Sequence, residues 1–224
     1  MAGASAHAAF SRLPRYDASL GFGDDRVSMV IAARNCGKTT LICDLLGRKT
    51  TPRVVAFLGV HDRDASLYAR RLGAETHDGW DEAVANELVD ARTVDAAAPP
   101  SPLTVVIDDV GMERSVLASR ALRVIAMNGR CLRVGMVLAT QYCAAMPPWF
   151  SGNVDRVFVG AIPIEAERHR IYDRFAADCR LDVAEFSRLL DACAAAHPRA
   201  WLVIDRTAPG GVCRLFRLGG LDSA

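Results

Sequence analysis

Four consecutive residues, Gly37-Lys38-Thr39-Thr40, have the side chains and the position that bind a chain of phosphates. An apolar segment before them predicts a strand over 27–33, and an apolar segment after them predicts a helix that ends near Gly47. The N-terminus of such a helix offers unpaired N–H groups and the positive end of its dipole to an anion. This order of strand, loop, GK[ST] and helix predicts a phosphate-binding loop.

The chemistry gives a role to each residue type in this loop. Gly37 lets the backbone approach the phosphates, Lys38 reaches the β- and γ-phosphates, and the Thr39 hydroxyl is a ligand for Mg²⁺. Arg34 is a further candidate contact to the γ-phosphate, and Ala32 stands where the pattern has its first glycine. The alternative is a chance GKT in a buried strand–turn–helix. The predicted nucleotide-binding residues are Ala33, Arg34, Asn35, Cys36, Gly37, Lys38, Thr39 and Thr40.

A second chemical signal is the pair of acids that ends the apolar segment 103–107, about 70 residues after the loop. The carboxyl end of a strand is where ligands bind in open α/β sheets. Asp108 is the predicted Mg²⁺ ligand alongside Thr39, and Asp109 is predicted to orient or deprotonate the attacking water. The alternative is a strand that ends in a polar turn.

Further along the chain, Thr140 and Gln141 close an apolar segment, 132–139, that predicts another strand. An amide at the end of a strand beside the acidic one can contact the γ-phosphate or the attacking water, as positioning glutamines do in other NTPases. We therefore predict Gln141 as a sensor of the γ-phosphate, with a plain turn residue as the alternative.

The remaining patterns predict alternating strands and helices. Strands are expected at 53–58 and 154–162, and a hairpin at 200–205 and 212–217. Helices are expected at 64–72, 81–92, 113–128 (with Gly129 just beyond its end), 164–175 and from Asp182, and residues 93–102 form a linker. The alternation predicts an α/β fold with a mostly parallel sheet, helices on both faces and the hairpin at one edge.

Composition narrows the class of protein without naming a function. The net charge is +1, so no global basic field indicates a nucleic-acid binder, and a DNA partner would need a local patch. The 7 cysteines lack any CxxC pair, which favours reduced thiols inside a cell. No apolar run predicts a membrane span or a secretory signal. We expect a flexible N-terminal arm at 1–15 and one P-loop ATPase domain at 16–224.

These segments together resemble the genome-packaging ATPases of large nucleocytoplasmic DNA viruses, the poxvirus type within the FtsK–HerA clade of P-loop motors. The resemblance rests on seven blocks in the family's order: AARNCGKTTLICDLL, VVIDDV, MNGR, LATQY, MPPWFSGNVDRVFV, RIYDRF and WLVID. It implies a RecA-like core, ATP with Mg²⁺, a ring of identical subunits and translocation of double-stranded DNA into a capsid. It also implies a location in the host cytoplasm or viral factory, with association with the virion as an option.

Residue by residue, the resemblance supports Lys38, Thr39, the two acids and Gln141, and it adds Arg130 as a candidate charge for a neighbouring subunit's nucleotide. A helix-terminal arginine that complements the dipole is the alternative for Arg130. The chain departs from the family at Ala32, at Cys131, where the family has His, and at 151–153, where an Arg before the Asn is missing. These departures make hydrolysis a weaker expectation than nucleotide binding.

Three functions follow as hypotheses. The first is an ATP-driven DNA-packaging motor with a capsid or portal-like partner. The second is a nucleotide or nucleoside kinase, which the tandem acids and the strand-end Gln141 argue against. The third is an assembly scaffold that binds nucleotide without hydrolysis, which Ala32 and the missing Arg favour. A GTPase is disfavoured, because the sequence contains no [NT]KxD motif for reading guanine.

Overall fold

The computed structural model describes residues 13–22, 25–48, 53–59, 61–93, 101–110, 114–197, 199–208 and 211–217. Within them, eight strands form one sheet in the order β3-β2-β4-β5-β1-β6-β7-β8. The strands are β1 Val27–Ile31, β2 Val54–Leu58, β3 Glu75–Asp78, β4 Leu103–Asp108, β5 Val134–Thr140, β6 Arg156–Val159, β7 Ala200–Asp205 and β8 Val212–Arg217.

Helices connect most of these strands. They are α1 Lys38–Gly47, α2 His61–Leu72, α3 Glu82–Thr93, α4 Arg114–Leu117, α5 Arg120–Leu132, α6 Pro148–Ser151, α7 Glu165–Ile171 and α8 Val183–Ala196. A π-helical turn, Tyr172–Ala176, continues α7, and a 3₁₀ turn, Ala18–Leu20, precedes β1. None of the helices in the described ranges is long and apolar enough to cross a membrane.

The central strands are parallel and buried on both faces. β1 pairs in parallel with β5 and β6, and β4 pairs in parallel with β2 and β5. β7 and β8 run antiparallel at one edge. A parallel sheet needs a crossover helix between successive strands, and the alternating sequence supplies it. The predicted α/β class, the mostly parallel sheet and the hairpin at one edge are confirmed.

Alternate residues of the strands feed two separate cores, because side chains point to opposite faces of a strand in turn. Met29 and Ile31 of β1 pack in the core beneath α3, α5 and α8, whereas Val30 packs in the core beneath α1 and α2. Helices therefore cover both faces of the sheet. β1 sits at the centre of both cores, which fixes the position of the loop that follows it.

The helix predicted at 113–128 is wrong in both its continuity and its end. The chain forms two helices there, α4 and α5, and the Ser119 hydroxyl caps the second by accepting from Leu122 N at 3.1 Å. Gly129 lies inside α5, and Arg133 at φ +54° ends it. A Cβ on Gly129 would lie 2.5 Å from the Val134 carbonyl oxygen, so this glycine serves the close packing of helix on strand.

Other boundaries also differ from expectation. β3 was not foreseen, and the strand predicted at 154–162 is limited to Arg156–Val159. The helix predicted at 164–175 begins at Glu165 and changes to a π-helical turn at Tyr172. Most of the predicted linker at 93–102 and of the predicted arm at 1–15 lies outside the described residues. Tyr16, the first residue of the predicted domain, is buried against the core of α1 and α2.

Candidate functional site

The predicted phosphate loop (residues 32–37) joins β1 to the N-terminus of α1. Asn35 at φ +61° and Gly37 at φ +83° adopt left-handed conformations, and Gly37 is the N-cap of α1. No atom lies within 4 Å of a Cβ built on Gly37, so its backbone conformation, and not space, favours glycine there. The curled backbone and the N-terminus of the ten-residue helix form a concave surface suited to an anion.

Lys38, the first residue of α1, turns back under this loop. Its side chain is only 6% exposed, and its Nζ donates to the Ala32 carbonyl oxygen at 3.4 Å. The same Nζ lies 3.7 Å from Asp109 Oδ1, which is 34% exposed at the mouth of the site. The ammonium is thus held between the loop backbone and a carboxylate, at the base of the concave surface.

A turn after β4 directs Asp109 toward Lys38. Asp109 has φ +58°, a left-handed conformation that is uncommon outside glycine, and its N–H donates to the Ala139 carbonyl at 3.2 Å. Gly59 permits this turn, because a Cβ there would lie 2.7 Å from the Asp109 carbonyl oxygen. The strained backbone is therefore held by β2 and β5 on either side.

Asp108 is the buried partner of Thr39. Thr39 Oγ1 donates to Asp108 Oδ2 at 2.8 Å, and the Tyr68 hydroxyl donates to the same oxygen at 2.9 Å. Burial raises the pKa of Asp108 to about 6, and the two hydrogen bonds oppose that rise. Burial also keeps the pKa of Tyr68 well above its ordinary value, so this hydroxyl is a donor.

The four predicted residues Lys38, Thr39, Asp108 and Asp109 are thus brought together at the carboxyl ends of β1 and β4. Lys38, Thr39 and Asp109 line a cleft of about 710 Å³ between the predicted phosphate loop and α2, and Asp108 lies buried behind Thr39. Hydroxyl and carboxylate oxygens are the donors that Mg²⁺ prefers, so Thr39 and Asp108 fit as its holders. The cleft is lined by Arg34, Asn35, Gly37, Lys38, Thr39, Thr40, Asp64, Ser66, Leu67, Arg70 and Asp109.

Ala32 replaces the usual leading glycine without disturbing this arrangement. It is fully buried, and its N–H donates to the Thr140 carbonyl at 3.3 Å. Its methyl group faces Gly160, just after β6, where a built Cβ would lie 2.9 Å from the Ala32 Cβ. The same Cβ would lie 2.8 Å from Trp201 Cζ3. The glycine at 160 therefore provides the space that the alanine at 32 occupies.

We predict that Gly160→Ala destabilises the chain by about 1–3 kcal/mol, because its methyl group would overpack against Ala32 and Trp201. Urea unfolding measures the change. Gly47→Ala, in α1, is the matched control, since its Cβ would make an ordinary 3.7 Å contact to Leu72 at the end of α2. The stability of that control should change by less than about 1 kcal/mol, because Gly47 is the last residue of α1 and its Cβ would meet no close neighbour. Equal stability of Gly160→Ala and the wild type would contradict the packing argument.

Gln141 follows β5, and β5 lies between β1 and β4 in the sheet. The residue is half-buried at the same end of the sheet as the predicted phosphate loop and the acids. Thr140 Oγ1 accepts from Tyr142 N at 3.2 Å and donates to the Tyr142 carbonyl at 2.9 Å, which tightens the turn around Gln141. The placement suits a sensor, and that role stays a prediction.

Arg130 lies at the opposite end of the sheet. It forms an ion pair with Asp155, which also accepts from Val27 N at 3.0 Å at the start of β1. Arg26 lies 3.4 Å from the same carboxylate. The structure therefore does not bring Arg130 to the nucleotide cleft of its own subunit. A contact to the nucleotide of a neighbouring subunit stays a prediction.

Sequence reasoning missed the contribution of α2. Tyr68 is fully buried and reaches Asp108, while Asp64, Leu67 and Arg70 form the wall of the cleft opposite the predicted phosphate loop. The available signal was weak: one tyrosine among the alanines and leucines of an amphipathic helix. Its spacing from the acids carries no recognisable motif.

Comparison with known proteins gives the same architecture. The chain resembles the DNA-packaging ATPase B204 of Sulfolobus turreted icosahedral virus, with a TM-score of 0.62, 14% identity and coverage of 86% of this chain and 97% of that chain. B204 of Sulfolobus turreted icosahedral virus 2, in complex with AMPPCP, gives a TM-score of 0.62 at 12% identity, over 87% and 98% of the two chains. The predicted P-loop ATPase fold, and with it the resemblance to packaging ATPases at the level of fold, is confirmed.

A second group of solved structures shares the fold. The ATPase domains 2 and 3 of EssC from Geobacillus thermodenitrificans match with a TM-score of 0.56 and 14% identity, over 89% of this chain and 41% of that chain. No family model matches the chain. The uncharacterized protein 088R of Invertebrate iridescent virus 3 is 26% identical over 151 residues, 66% of this chain and 58% of that protein. The chain thus aligns with little more than half the length of this viral relative.

Proposed function

We propose that this chain is an ATPase that drives the packaging of double-stranded DNA into a viral capsid. The observation that carries the proposal is that two neighbouring residues of α1 each contact one of the two acids. Lys38 Nζ lies 3.7 Å from Asp109 Oδ1, and Thr39 Oγ1 donates to Asp108 at 2.8 Å. A cation, a hydroxyl and two carboxylates around a helix N-terminus are the groups that bind and hydrolyse a nucleoside triphosphate.

In this mechanism the loop N–H groups and Lys38 hold the β- and γ-phosphates. Nucleotide phosphate competes with Asp109 for the Lys38 ammonium, so binding releases the Asp109 carboxylate to face the attacking water. Lys38 and the N-terminus of α1 then stabilise the charge that develops on the phosphoryl oxygens. Gln141 reports the presence of the γ-phosphate to β5. Arg34 and Arg70 add positive charge on the two walls of the cleft.

Thr39 and Asp108 would hold Mg²⁺, which neutralises phosphate charge and orients the phosphates for in-line attack when it is bound. Asp108 accepts from Thr39 and Tyr68 in the structure, so one oxygen of its carboxylate already faces the first turn of α1.

Support for DNA packaging comes from the solved structures. B204 is a DNA-packaging ATPase, and the chain covers 97% of its length, so the comparison takes in nearly the whole of that protein. We infer the same partners here: duplex DNA held through its phosphates without base readout, a homo-oligomeric ring, and a capsid or portal-like protein. In a ring, Arg130 would reach a neighbour's nucleotide after leaving Asp155, and the site of action would be the viral factory or the virion.

A non-hydrolysing scaffold is the second candidate, because the Arg that the resemblance places before Asn153 is absent here. The packing of Ala32 against Gly160 weakens one of its two supports, since the loop forms despite the lost glycine. The scaffold predicts tight ATP binding without turnover, even in assembled rings with DNA. A kinase would instead transfer phosphate to a nucleoside or a nucleotide.

The deciding experiment measures phosphate release from ATP with and without duplex DNA of unrelated sequences. We expect Mg²⁺-dependent turnover that duplex DNA stimulates several-fold, independent of sequence and weakened by salt, because the DNA contacts are ionic. Single-stranded DNA at equal phosphate concentration is the control. Turnover that ignores duplex DNA would contradict the motor, and absence of turnover with tight ATP binding would favour the scaffold.

A further inference from the structure

The hydroxyl of Tyr68 is a polar group of the site that the mechanism above does not use directly. Tyr68 is fully buried between α2 and the sheet, and its hydroxyl donates to Asp108 Oδ2 at 2.9 Å. Asp108 itself is 3% exposed. A phenylalanine would fill the same space, so the packing of α2 does not by itself require the hydroxyl.

The hydroxyl of a second buried tyrosine, Tyr16, bonds within the fold and away from the cleft. The Tyr16 hydroxyl donates to the backbone carbonyl of Gly21, which holds the turn before β1. Tyr68 donates instead to a side-chain carboxylate that also accepts from Thr39 at 2.8 Å. The acceptor of Tyr68 is thus a group of the nucleotide site, and the acceptor of Tyr16 is not.

Two donors on one oxygen fix the direction of the Asp108 carboxylate. Thr39 reaches Oδ2 from the first turn of α1, and Tyr68 reaches the same atom from α2, the helix that forms the other wall of the cleft. With one donor removed, a buried carboxylate regains rotational freedom and loses one of the bonds that compensate its desolvation. Outer partners of this kind orient the groups that hold a metal and typically affect metal affinity 10–100-fold.

We propose that Tyr68 is a positioning residue that fixes Asp108 for Mg²⁺ and thereby sets the Mg²⁺ affinity of the nucleotide site. This inference rests on the proposed function, because it needs a site that binds ATP with Mg²⁺. It also gives α2 a part in the chemistry: the helix carries both a wall of the cleft and the group that orients the metal-side carboxylate.

The test is Tyr68→Phe, read by the Mg²⁺ dependence of AMPPCP binding in calorimetry, without turnover. We expect the Mg²⁺ concentration for half-maximal binding to rise about 10-fold, while AMPPCP affinity in EDTA stays at the wild-type value. The Mg²⁺ concentration for half-maximal turnover should rise by the same factor. Tyr16→Phe is the matched control, because it also removes a buried tyrosine hydroxyl, and its Mg²⁺ dependence should equal that of the wild type.

Each outcome separates this inference from the function beneath it. A folded Tyr68→Phe with wild-type Mg²⁺ dependence would overturn the inference alone. A wild type that binds AMPPCP no better with Mg²⁺ than in EDTA would overturn both. If Tyr68→Phe does not fold, the pair Tyr68→His and Tyr68→Leu replaces it, because histidine keeps a ring N–H donor and leucine does not. The Mg²⁺ dependence of Tyr68→His should then lie closer to the wild type than that of Tyr68→Leu. Equal Mg²⁺ dependence of the two variants would overturn the inference.

Discussion

Lys38→Ala is expected to lower the ATP turnover of this chain by about 100-fold or more. The ammonium is nearly buried at the base of the predicted phosphate loop, 3.4 Å from the Ala32 carbonyl, where phosphate would replace Asp109 as its partner. Loss of one preorganised charge aimed at the developing phosphoryl charge typically costs 10²–10³ in rate. Steady-state phosphate release at saturating ATP measures the effect, and analogue binding should weaken in parallel.

Arg48→Ala is the matched control for this prediction. It removes a cation from the other end of the same helix, where Arg48 pairs with Asp44 at 2.9 Å on the surface. Exposed pairs of this kind contribute little to stability, so the control should keep wild-type turnover. Turnover that persists in Lys38→Ala would contradict the assignment of the nucleotide to this cleft. Only the similarity of fold would then remain.

Asp109→Asn should lower turnover without weakening ATP binding, unlike Lys38→Ala, which should lower both. Turnover should fall about 100-fold or more, because the amide cannot accept a proton from the attacking water. ATP affinity should stay the same or increase, since Lys38 loses a competing carboxylate 3.7 Å away. The measurement pairs single-turnover hydrolysis with the dissociation constant of ATP, so a kcat effect separates from a binding effect.

The control for this variant is Asp44→Asn, because Asp44 lies on α1 away from the cleft and forms an ion pair with Arg48 just beyond the far end of that helix. It should change neither turnover nor ATP affinity. Weaker ATP binding in Asp109→Asn, with unchanged kcat, would assign Asp109 to nucleotide binding and leave the water without its base.

The sequence signals that bring Lys38, Thr39, Asp108 and Asp109 together are local. A helix that starts at GKT and a strand that ends in two acids each specify their own geometry, and parallel pairing through β5 then places both at one end of the sheet. The 2.8 Å contact between Thr39 and Asp108 follows from that shared edge. Sequence reasoning could therefore place these groups together without knowing any other part of the fold.

Tyr68 and β3 escaped prediction because their signals are not local. β3 is the polar segment Glu75–Asp78, which becomes a strand because it pairs with β2 at the edge of the sheet. Tyr68 meets Asp108 only when α2 packs against the sheet, and a helical period cannot show which buried side chain meets a carboxylate. The end of α5 was predicted wrongly for a related reason. Glycine is common at helix ends, but Gly129 lies inside the helix and permits its close approach to Val134.

The packing of Ala32 on Gly160 shows that the space beside the loop, and not the position of a residue in the sequence, decides where a glycine is needed. The space between these two residues holds one methyl group and not two, because β1 and β6 are neighbours and the residues that follow them face each other beside Trp201. A linear pattern that demands glycine at 32 overlooks this protein. A three-dimensional pattern, which asks only that one of the two facing residues lack a side chain, recognises it.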